Sequence, residues 1–256
     1  MNFLHSIALG AVEGITEFLP ISSTGHLILT SHILKIPQTE FLKTFQIAIQ
    51  LGAIFSIIAL YFKTLTKNLE LIKKILVAFL PTAVIGLTFY KIIKNYLFEN
   101  DFVIIISLFF GGVFLILFER SHKEKPDAVD NLENISYQQS FKIGLFQSVA
   151  VIPGVSRAAA TILGGLSQNI KRKVIVEFSF LLAIPTMLAA TGLELFKNAP
   201  TFTPNEFQIL VVGFITAFFV AIITIKFLLK FIQEHNFTPF GIYRIFASLI
   251  FLMLLF

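Results

Sequence analysis

The chain has 256 residues, of which 56% are hydrophobic and only 14% are charged, and its mean hydropathy is +0.84. An ordinary soluble domain carries about 25% charged residues, so this composition excludes a soluble globule and indicates a protein whose solvent is lipid. The formal net charge of +5 is typical of basic cytoplasmic loops in a membrane protein, and we expect no nucleic-acid partner.

The first apolar stretch, residues 3–34, is interrupted at its centre by a run of proline and small hydroxyl residues from Pro20 to Gly25. Proline removes a backbone donor, and the residue before it avoids the α region, so this stretch is predicted to form two short helices around a break. Each half is too short to span a bilayer. Irregular backbone at membrane depth is tolerated only inside protein or along a wet cavity, so we predict a re-entrant hairpin.

A second interrupted stretch, residues 140–168, breaks between Pro153 and Arg157 and is predicted to form a second re-entrant hairpin. Three further segments follow each hairpin. All six are long and apolar enough to cross a bilayer as helices, and they cover residues 44–62, 75–94, 102–119, 174–194, 208–230 and 240–256.

The two hairpins begin alike, because Gly10 and Gly144 each lie twelve residues before a serine, Ser22 or Ser156. One hairpin plus three spans crosses the membrane an odd number of times. The second half must therefore enter the bilayer upside down relative to the first. The sequence thus predicts an all-α polytopic protein with six transmembrane helices and two re-entrant hairpins, arranged as an inverted-topology repeat.

We expect a single membrane domain in which a charged linker, residues 120–137, joins the halves 1–119 and 138–256. The basic residues test the orientation, since cytoplasmic loops are rich in Lys and Arg. The predicted cytoplasmic side carries Lys63, Lys67, Lys73, Lys74, Arg120, Lys123, Lys125, Lys142, Lys171, Arg172, Lys173, Lys226 and Lys230. The opposite side carries only Lys35, Lys43, Lys91, Lys94 and Lys197. Both termini and the mouth of the first hairpin are then extracytoplasmic.

Glu13 and Glu17 are four residues apart, so on a helix both carboxylates project from one face. Two like charges inside a membrane are costly and demand a divalent cation, an arginine or a shared proton. A wetted interfacial helix face is the alternative interpretation, although the surrounding residues are apolar.

Three hydroxyl residues, Ser22, Ser23 and Thr24, precede the second half of the first hairpin. Free N–H groups at a helix N-terminus attract anions, so the hydroxyls either contact a ligand or cap the helix. His26 follows in the first turn. It is a candidate general acid, base or nucleophile, and the alternative is a structural histidine.

Arg157 stands between Ser156 and an alanine run inside the second hairpin. An intramembrane arginine indicates a functional site, and its fork either binds a phosphate or carboxylate of a substrate or neutralises the two glutamates. The whole set indicates phosphate chemistry or anion transport. Other polar residues in the spans are interpreted as candidates for interhelical contacts, and they are Gln46, Gln50, Glu177, Ser179 and Arg244.

At these residues the sequence closely resembles the undecaprenyl-diphosphatase family, also called the bacitracin-resistance protein family. The first motif is EGITEFLPISSTGH, from Glu13 to His26, and the second is PGVSR, from Pro153 to Arg157. The resemblance covers the whole chain. The second motif usually continues with Ser and Gly, but here these positions are Ala158 and Ala159.

The resemblance implies hydrolysis of undecaprenyl diphosphate to undecaprenyl phosphate and phosphate, which recycles the lipid carrier for peptidoglycan synthesis and confers bacitracin resistance. It implies a bacterial inner membrane, a site open to the extracytoplasmic side and a divalent cation, Mg²⁺ or Ca²⁺, and it leaves a homodimer open. The implied cation ligands are Glu13 and Glu17. The implied substrate contacts are Ser22, Thr24, Gly154 and Ser156, and the implied catalytic residues are Glu17, Ser23, His26 and Arg157.

Two routes remain open for the attack on phosphorus. In one, Ser23 is the nucleophile with His26 or a glutamate as its base. In the other, a water activated by the cation attacks while Arg157 stabilises the phosphate oxygens. A flippase or anion transporter built on the same inverted repeat is the competing class. A purely structural membrane scaffold is a weaker third interpretation.

Overall fold

A computed structural model describes residues 1–92, 96–97, 100–197 and 202–255 of the chain. Within these ranges the regular structure is helical, apart from one isolated bridge between Val129 and Ile170. The α-helices are α1 (Phe3–Thr16), α2 (Ser23–Ile33), α3 (Glu40–Lys67), α4 (Leu69–Thr88), α5 (Tyr90–Ile92), α6 (Asp101–Ser121), α7 (Tyr137–Ser148), α8 (Arg157–Leu166), α9 (Arg172–Lys197), α10 (Pro204–Phe231) and α11 (Thr238–Leu255).

The six predicted spans are confirmed as helices long and apolar enough to cross a membrane, namely α3, α4, α6, α9, α10 and α11. Most of these helices extend beyond the predicted bounds, because polar residues cap and lengthen their ends; the Thr39 hydroxyl, for example, accepts from the Leu42 N–H at the start of α3. α4 ends at Thr88, before the predicted residue 94. Residues 93, 94 and 256 lie outside the described residues, as does the side chain of Lys197.

Both broken segments are short helix–loop–helix units, α1–α2 and α7–α8. The prediction that the first break reaches Gly25 is wrong, because α2 already begins at Ser23. The preceding residue, Ser22, has a φ of 72° and Ser156, before α8, has a φ of 75°. A left-handed conformation is uncommon for serine and costs about 1–3 kcal/mol. In both units this residue is the last of a multi-residue loop, and the next helix starts directly after it.

The leading helix of each hairpin packs against a long helix of the other half of the chain, α1 on α10 and α7 on α4. Glycines allow these close approaches. A Cβ at Gly10 would lie 2.5 Å from the carbonyl oxygen of Gly213, and a Cβ at Gly144 would overlap the carbonyl oxygen of Ala78. The helices α3 and α9 also contact each other, as do α6 and α11. Each hairpin therefore packs one side against the long helices, while residues such as Ile15 and Val149 on its other side are exposed.

The basic residues predicted to be cytoplasmic cluster around one end of the molecule. There, Asn68 between α3 and α4 donates to the Glu133 carboxylate of the linker at 2.9 Å. Arg172, at the start of α9, donates to Glu119 at the end of α6 at 2.6 Å, and Glu119 also accepts from the N–H of Phe237, before α11. The linker itself runs from residue 122 to 136, because α6 continues to Ser121 and α7 begins at Tyr137.

The hairpin ends lie at opposite ends of the molecule. The second hairpin begins after the linker and ends before α9, both at the basic end. The first hairpin begins near the start of α10, where Ser6 Oγ donates to the Ile209 carbonyl at 2.6 Å. The membrane side of each end, and the inverted relation of the halves, stay predictions.

Candidate active site

The loops of the two hairpins meet at the carboxylate of Glu17, a buried residue directly after α1. Ser23 Oγ donates to Glu17 Oε2 at 2.7 Å, and Arg157 Nη2 lies 3.2 Å from Glu17 Oε1. Ser23 and Arg157 are the first residues of α2 and α8, and each follows a serine with positive φ. The two hairpins therefore bring corresponding positions to one carboxylate, which forms a hydrogen bond to one hairpin and an ion pair to the other.

Arg157 is almost fully enclosed, and its guanidinium is only partly used by the protein. Nη1 donates to the carbonyl of Ser179 at 2.9 Å, and Nη2 donates to both the carbonyl and the carboxylate of Glu17. The buried Nε has no hydrogen-bond partner among the described residues. A guanidinium has five N–H donors, so two remain available. The interpretation that Arg157 neutralises a glutamate is confirmed for Glu17, and its binding of substrate stays a prediction.

Glu13 lies one turn before Glu17 and is completely buried. No N–H or O–H donor in the described part of the chain reaches either carboxylate oxygen of Glu13, and a hydrogen bond to Glu17 requires a proton shared by the two carboxyl groups. Its carboxyl group is close enough to Glu17 and Arg157 to interact with both electrostatically. A buried ionised carboxylate without a partner is strongly unfavourable. The interpretation of Glu13 as part of a wetted surface is therefore wrong, and this side chain needs a cation or a proton.

The donor set around Glu13 fits a hard divalent cation. The described residues contain no group of three or more His, Cys, Asp or Glu that could hold a metal ion, so Glu13 and Glu17 would be the anionic protein ligands here. Mg²⁺ usually takes one or two carboxylates and completes its shell with water and substrate phosphates. The two carboxylates meet that requirement. The strongest indication of a cation site is that the buried oxygens of Glu13 have no hydrogen-bond donor among the described residues.

The loop serines differ in what their hydroxyls do. Ser156 Oγ caps α8 by accepting from the N–H of Ala159 at 3.2 Å. Ser22 occupies the same place before α2, yet its hydroxyl makes no capping bond, so the capping alternative is wrong for this residue. Thr24 is half-buried in the first turn of α2. Gly154 has a φ of 89°, a left-handed conformation that glycine adopts without strain. Substrate contacts at these four residues stay predictions.

Ala158 and Ala159, which replace the usual Ser and Gly after the second motif, are both buried. Ala158 belongs to the largest apolar cluster of the protein. The Ala159 N–H is the donor that holds Ser156 Oγ. At these positions the chain therefore has packing and capping contacts, and the fold accommodates the departure from the motif.

His26 connects α2 to α11. Its Nδ1 lies 2.7 Å from the carbonyl oxygen of Ser22, and its Nε2 lies 2.7 Å from the hydroxyl of Tyr243. Because a carbonyl only accepts, Nδ1 carries the hydrogen. The imidazole also stacks on the Tyr243 ring at 5.5 Å. Both nitrogens are engaged, which supports the structural interpretation of His26, and a catalytic role stays a prediction.

Arg244 makes far more contacts than a residue of a single interhelical contact would. This residue of α11 is fully buried and donates to five backbone carbonyls, including one from the first hairpin loop and two from the second. The signal was present, since the argument that an intramembrane arginine marks a functional site applies to Arg244 as well as to Arg157. No sequence signal indicated Tyr243.

The fold and the site together define a multi-pass helical membrane protein in which two buried carboxylates, a partly buried serine and a partly buried arginine meet between two broken helical segments. The family described as bacitracin resistance protein BacA matches residues 6–250, and the chain belongs to this family. The resemblance inferred from the two motifs is confirmed.

Relatives named undecaprenyl-diphosphatase occur in several bacteria. The chain is 50% identical to the undecaprenyl-diphosphatase of Aquifex aeolicus over 251 residues, which cover 98% of both chains. It is 48% identical to that of Wolinella succinogenes over 255 residues, or 100% of this chain and 99% of the relative. It is 50% identical to one from Campylobacter jejuni over 255 residues, or 99% of this chain and 95% of the relative.

The hydrogen bond between His26 and Tyr243 predicts energetic coupling in a double-mutant cycle. We expect His26→Ala and Tyr243→Phe to show a coupling free energy of about 1 kcal/mol, because each change removes the same bond. Unfolding of the purified protein in mixed detergent micelles measures it. Tyr243→Phe combined with Ser56→Ala, whose hydroxyl bonds within α3, should be additive. Zero coupling between His26 and Tyr243 would contradict the assigned contact.

Proposed function

We propose that this chain is an integral membrane phosphatase that hydrolyses undecaprenyl diphosphate to undecaprenyl phosphate and inorganic phosphate. The observation that carries the proposal is the Glu17 carboxylate held between Ser23 Oγ at 2.7 Å and Arg157 at 3.2 Å, inside the protein. A hydroxyl beside a base and an arginine with free donors are the parts that phosphoryl transfer requires. The name shared by relatives at about half identity supports the same activity.

The geometry favours Ser23 as the nucleophile and Glu17 as its base. Ser23 Oγ already donates its proton to Glu17 Oε2, which is the contact that a general base needs. Attack of Oγ on the terminal phosphorus transfers this proton to Glu17, and the bond to the bridging oxygen breaks to release undecaprenyl phosphate. A water then attacks the phosphorus of the phosphoserine, the bond from Ser23 Oγ to phosphorus breaks as Glu17 returns its proton to Oγ, and the water leaves as part of inorganic phosphate.

Arg157 and the helix N-termini would bind the diphosphate. The unused donors of Arg157, the buried Nε among them, suit the phosphate oxygens. The helices α2 and α8 both begin at this point, with Ser23 and Arg157 as their first residues. Free N–H groups at helix N-termini favour anions. The guanidinium of Arg157 and the N-termini of α2 and α8 would therefore all direct positive potential at the phosphate oxygens. Negative charge spreads over these oxygens during transfer.

Glu13 and Glu17 would hold the divalent cation, Mg²⁺ or Ca²⁺. The cation supplies positive charge to the phosphate oxygens when it is bound. The protein's own contribution is to keep the Glu13 carboxylate buried and without a protein hydrogen-bond donor, so that it remains available as a ligand.

The proposed orientation has the hairpins re-entering the membrane from opposite sides in an inverted-topology repeat. The same positive φ at Ser22 and Ser156 supports the repeat, and the location of the hairpin ends at opposite ends of the molecule supports the inversion. The basic end would face the cytoplasm of a bacterial inner membrane, and the first hairpin would open to the extracytoplasmic side. There the enzyme would recycle the carrier for peptidoglycan synthesis and confer bacitracin resistance.

A lipid-carrier flippase or anion transporter is the second candidate. Each hairpin packs on a long helix of the other half, α1 on α10 and α7 on α4. This packing favours the second candidate, because broken helices between intertwined halves are a common transporter design. The two activities are compatible in one protein. Assembly as a homodimer stays a prediction.

The proposed activity predicts phosphate release from undecaprenyl diphosphate by the purified protein in lipid nanodiscs. Mg²⁺ or Ca²⁺ should support the reaction and EDTA should stop it, with activity restored when the cation is added back in excess. Empty nanodiscs are the control. If the protein releases no phosphate with either cation, the phosphatase function is wrong, and transport of the intact lipid becomes the preferred function.

The proposed roles predict that Ser23→Ala and Glu17→Gln each lower turnover by about 10³-fold or more, because they remove the nucleophile and its base. Ser56→Ala, a buried serine in α3, should keep normal turnover. Radioactivity from a terminally labelled substrate should appear on Ser23 after an acid quench. Near-normal turnover in Ser23→Ala would exclude the serine route and leave attack by water.

The proposed orientation predicts that a cysteine introduced at the exposed Lys123 reacts only from the cytoplasm. The chain has no native cysteine. An introduced cysteine is therefore the only thiol of this protein that the label can react with. In intact cells a membrane-impermeant maleimide should leave Cys at this position unlabelled until the membrane is permeabilised, whereas a cysteine at Lys35, an exposed position, should react directly. The reverse pattern would invert the orientation.

A further inference from the structure

We propose that Arg244 is a positioning residue that holds the two hairpin loops in register, so that Ser23 and Arg157 meet on Glu17. This inference rests on the proposed function for its kinetic consequences, and on the structure alone for its geometric ones. Arg244 lies in the last helix, α11, far along the chain from both motifs.

The guanidinium of Arg244 has no donor left for a substrate. Nε donates to the carbonyl of Leu108 at 3.3 Å. Nη1 donates to Pro20 at 3.2 Å and to Val155 at 2.9 Å. Nη2 donates to Ser107 at 3.0 Å and to Gly154 at 2.9 Å. These bonds account for all five N–H groups of an arginine. Arg244 is also fully buried, so it acts through the backbone it holds.

The acceptors lie in the two hairpin loops and in α6. Pro20 belongs to the first loop, Gly154 and Val155 to the second, and the remaining two carbonyls to α6. Pro20 precedes Ser23 by three residues, and Gly154 precedes Arg157 by the same number. Arg244 therefore holds both loops just before the side chains that contact Glu17, and it anchors both to one rigid helix.

The helix α6 is shaped to admit this side chain. A Cβ at Gly111 would overlap Arg244 Nη2 and would lie 2.8 Å from Cζ. A Cβ at the neighbouring Gly112 would lie 3.0 Å from Arg244 Cβ. The Arg244 fork is the movable partner at Gly111, since it is the far end of a long side chain. Gly111→Ala therefore displaces the guanidinium while Arg244 itself is retained.

A positive charge at position 244 would not by itself make the hydrogen bonds that the arginine fork makes. The hydrogen-bond partners of Arg244 are neutral carbonyls in two loops and one helix, and a fork with five donors satisfies all of them. Lysine has three donors on one nitrogen, so Arg244→Lys keeps the charge but leaves at least two carbonyls without this partner. A residue that served only as a buried charge would tolerate lysine, and a positioning residue would not.

The geometric test measures the distance between the hairpins without using activity. Spin labels at Ile15 and Val149, exposed residues of the first and second hairpin, report this distance by pulsed electron resonance in nanodiscs. We expect Gly111→Ala and Arg244→Lys to shift or broaden the distance distribution. Gly86→Ala is the matched control, because a Cβ there has no neighbour within 4 Å. An unchanged distribution in both variants would overturn the proposal.

The kinetic test separates positioning from a loss of folded protein. In unlabelled Gly111→Ala and Arg244→Lys, we expect kcat for phosphate release to fall by about 10- to 100-fold, because small displacements of reacting groups cost that much. KM should change by less than about threefold, since the binding donors are retained. Wild-type kcat in both variants would overturn the proposal even if the distance changed. If the unaltered protein releases no phosphate, the proposed function fails, while the distance measurement still tests Arg244.

Discussion

Two helix breaks leave backbone carbonyls buried inside the protein, and each buried carbonyl without a hydrogen-bond donor would cost several kcal/mol. The buried guanidinium of Arg244 meets this constraint by donating to both loops and to α6 at once. The irregular backbone that forms the site therefore depends on one side chain from the last helix. This dependence explains why a positive charge is retained inside a membrane protein without a carboxylate partner.

Charge balance governs the rest of the site. Glu17 is compensated by Arg157, with which it forms an ion pair, whereas Glu13 has no protein hydrogen-bond donor among the described residues. With Glu13 ionised one negative charge would remain, and a divalent cation would reverse its sign and create a region that attracts a diphosphate. A lipid diphosphate, a cation and the two glutamates would then stabilise one another, and the site would be complete only when both ligands are bound.

The two hairpins share their backbone and divide the chemistry. The positive φ at Ser22 and Ser156 starts both second helices in the same way. The next residue is a hydroxyl in one hairpin, Ser23, and a guanidinium in the other, Arg157. Duplicated geometry with different side chains surrounds one carboxylate from two sides, because neither hairpin alone provides both a hydroxyl and a guanidinium at this position.

Sequence alone determined the membrane class, the six spans, both breaks and the residues that converge, because hydropathy, proline and intramembrane charge are local signals with strong physical causes. It gave an ion pair between Arg157 and the glutamates as one of two interpretations, and it did not distinguish Glu13 from Glu17. Only the tertiary structure decided that Glu17 takes both contacts, that His26 is engaged by Tyr243, and that Arg244 joins the loops. These contacts join residues separated by up to 224 positions, and their partners are set by helix packing and by backbone carbonyls, which carry no signal in the sequence.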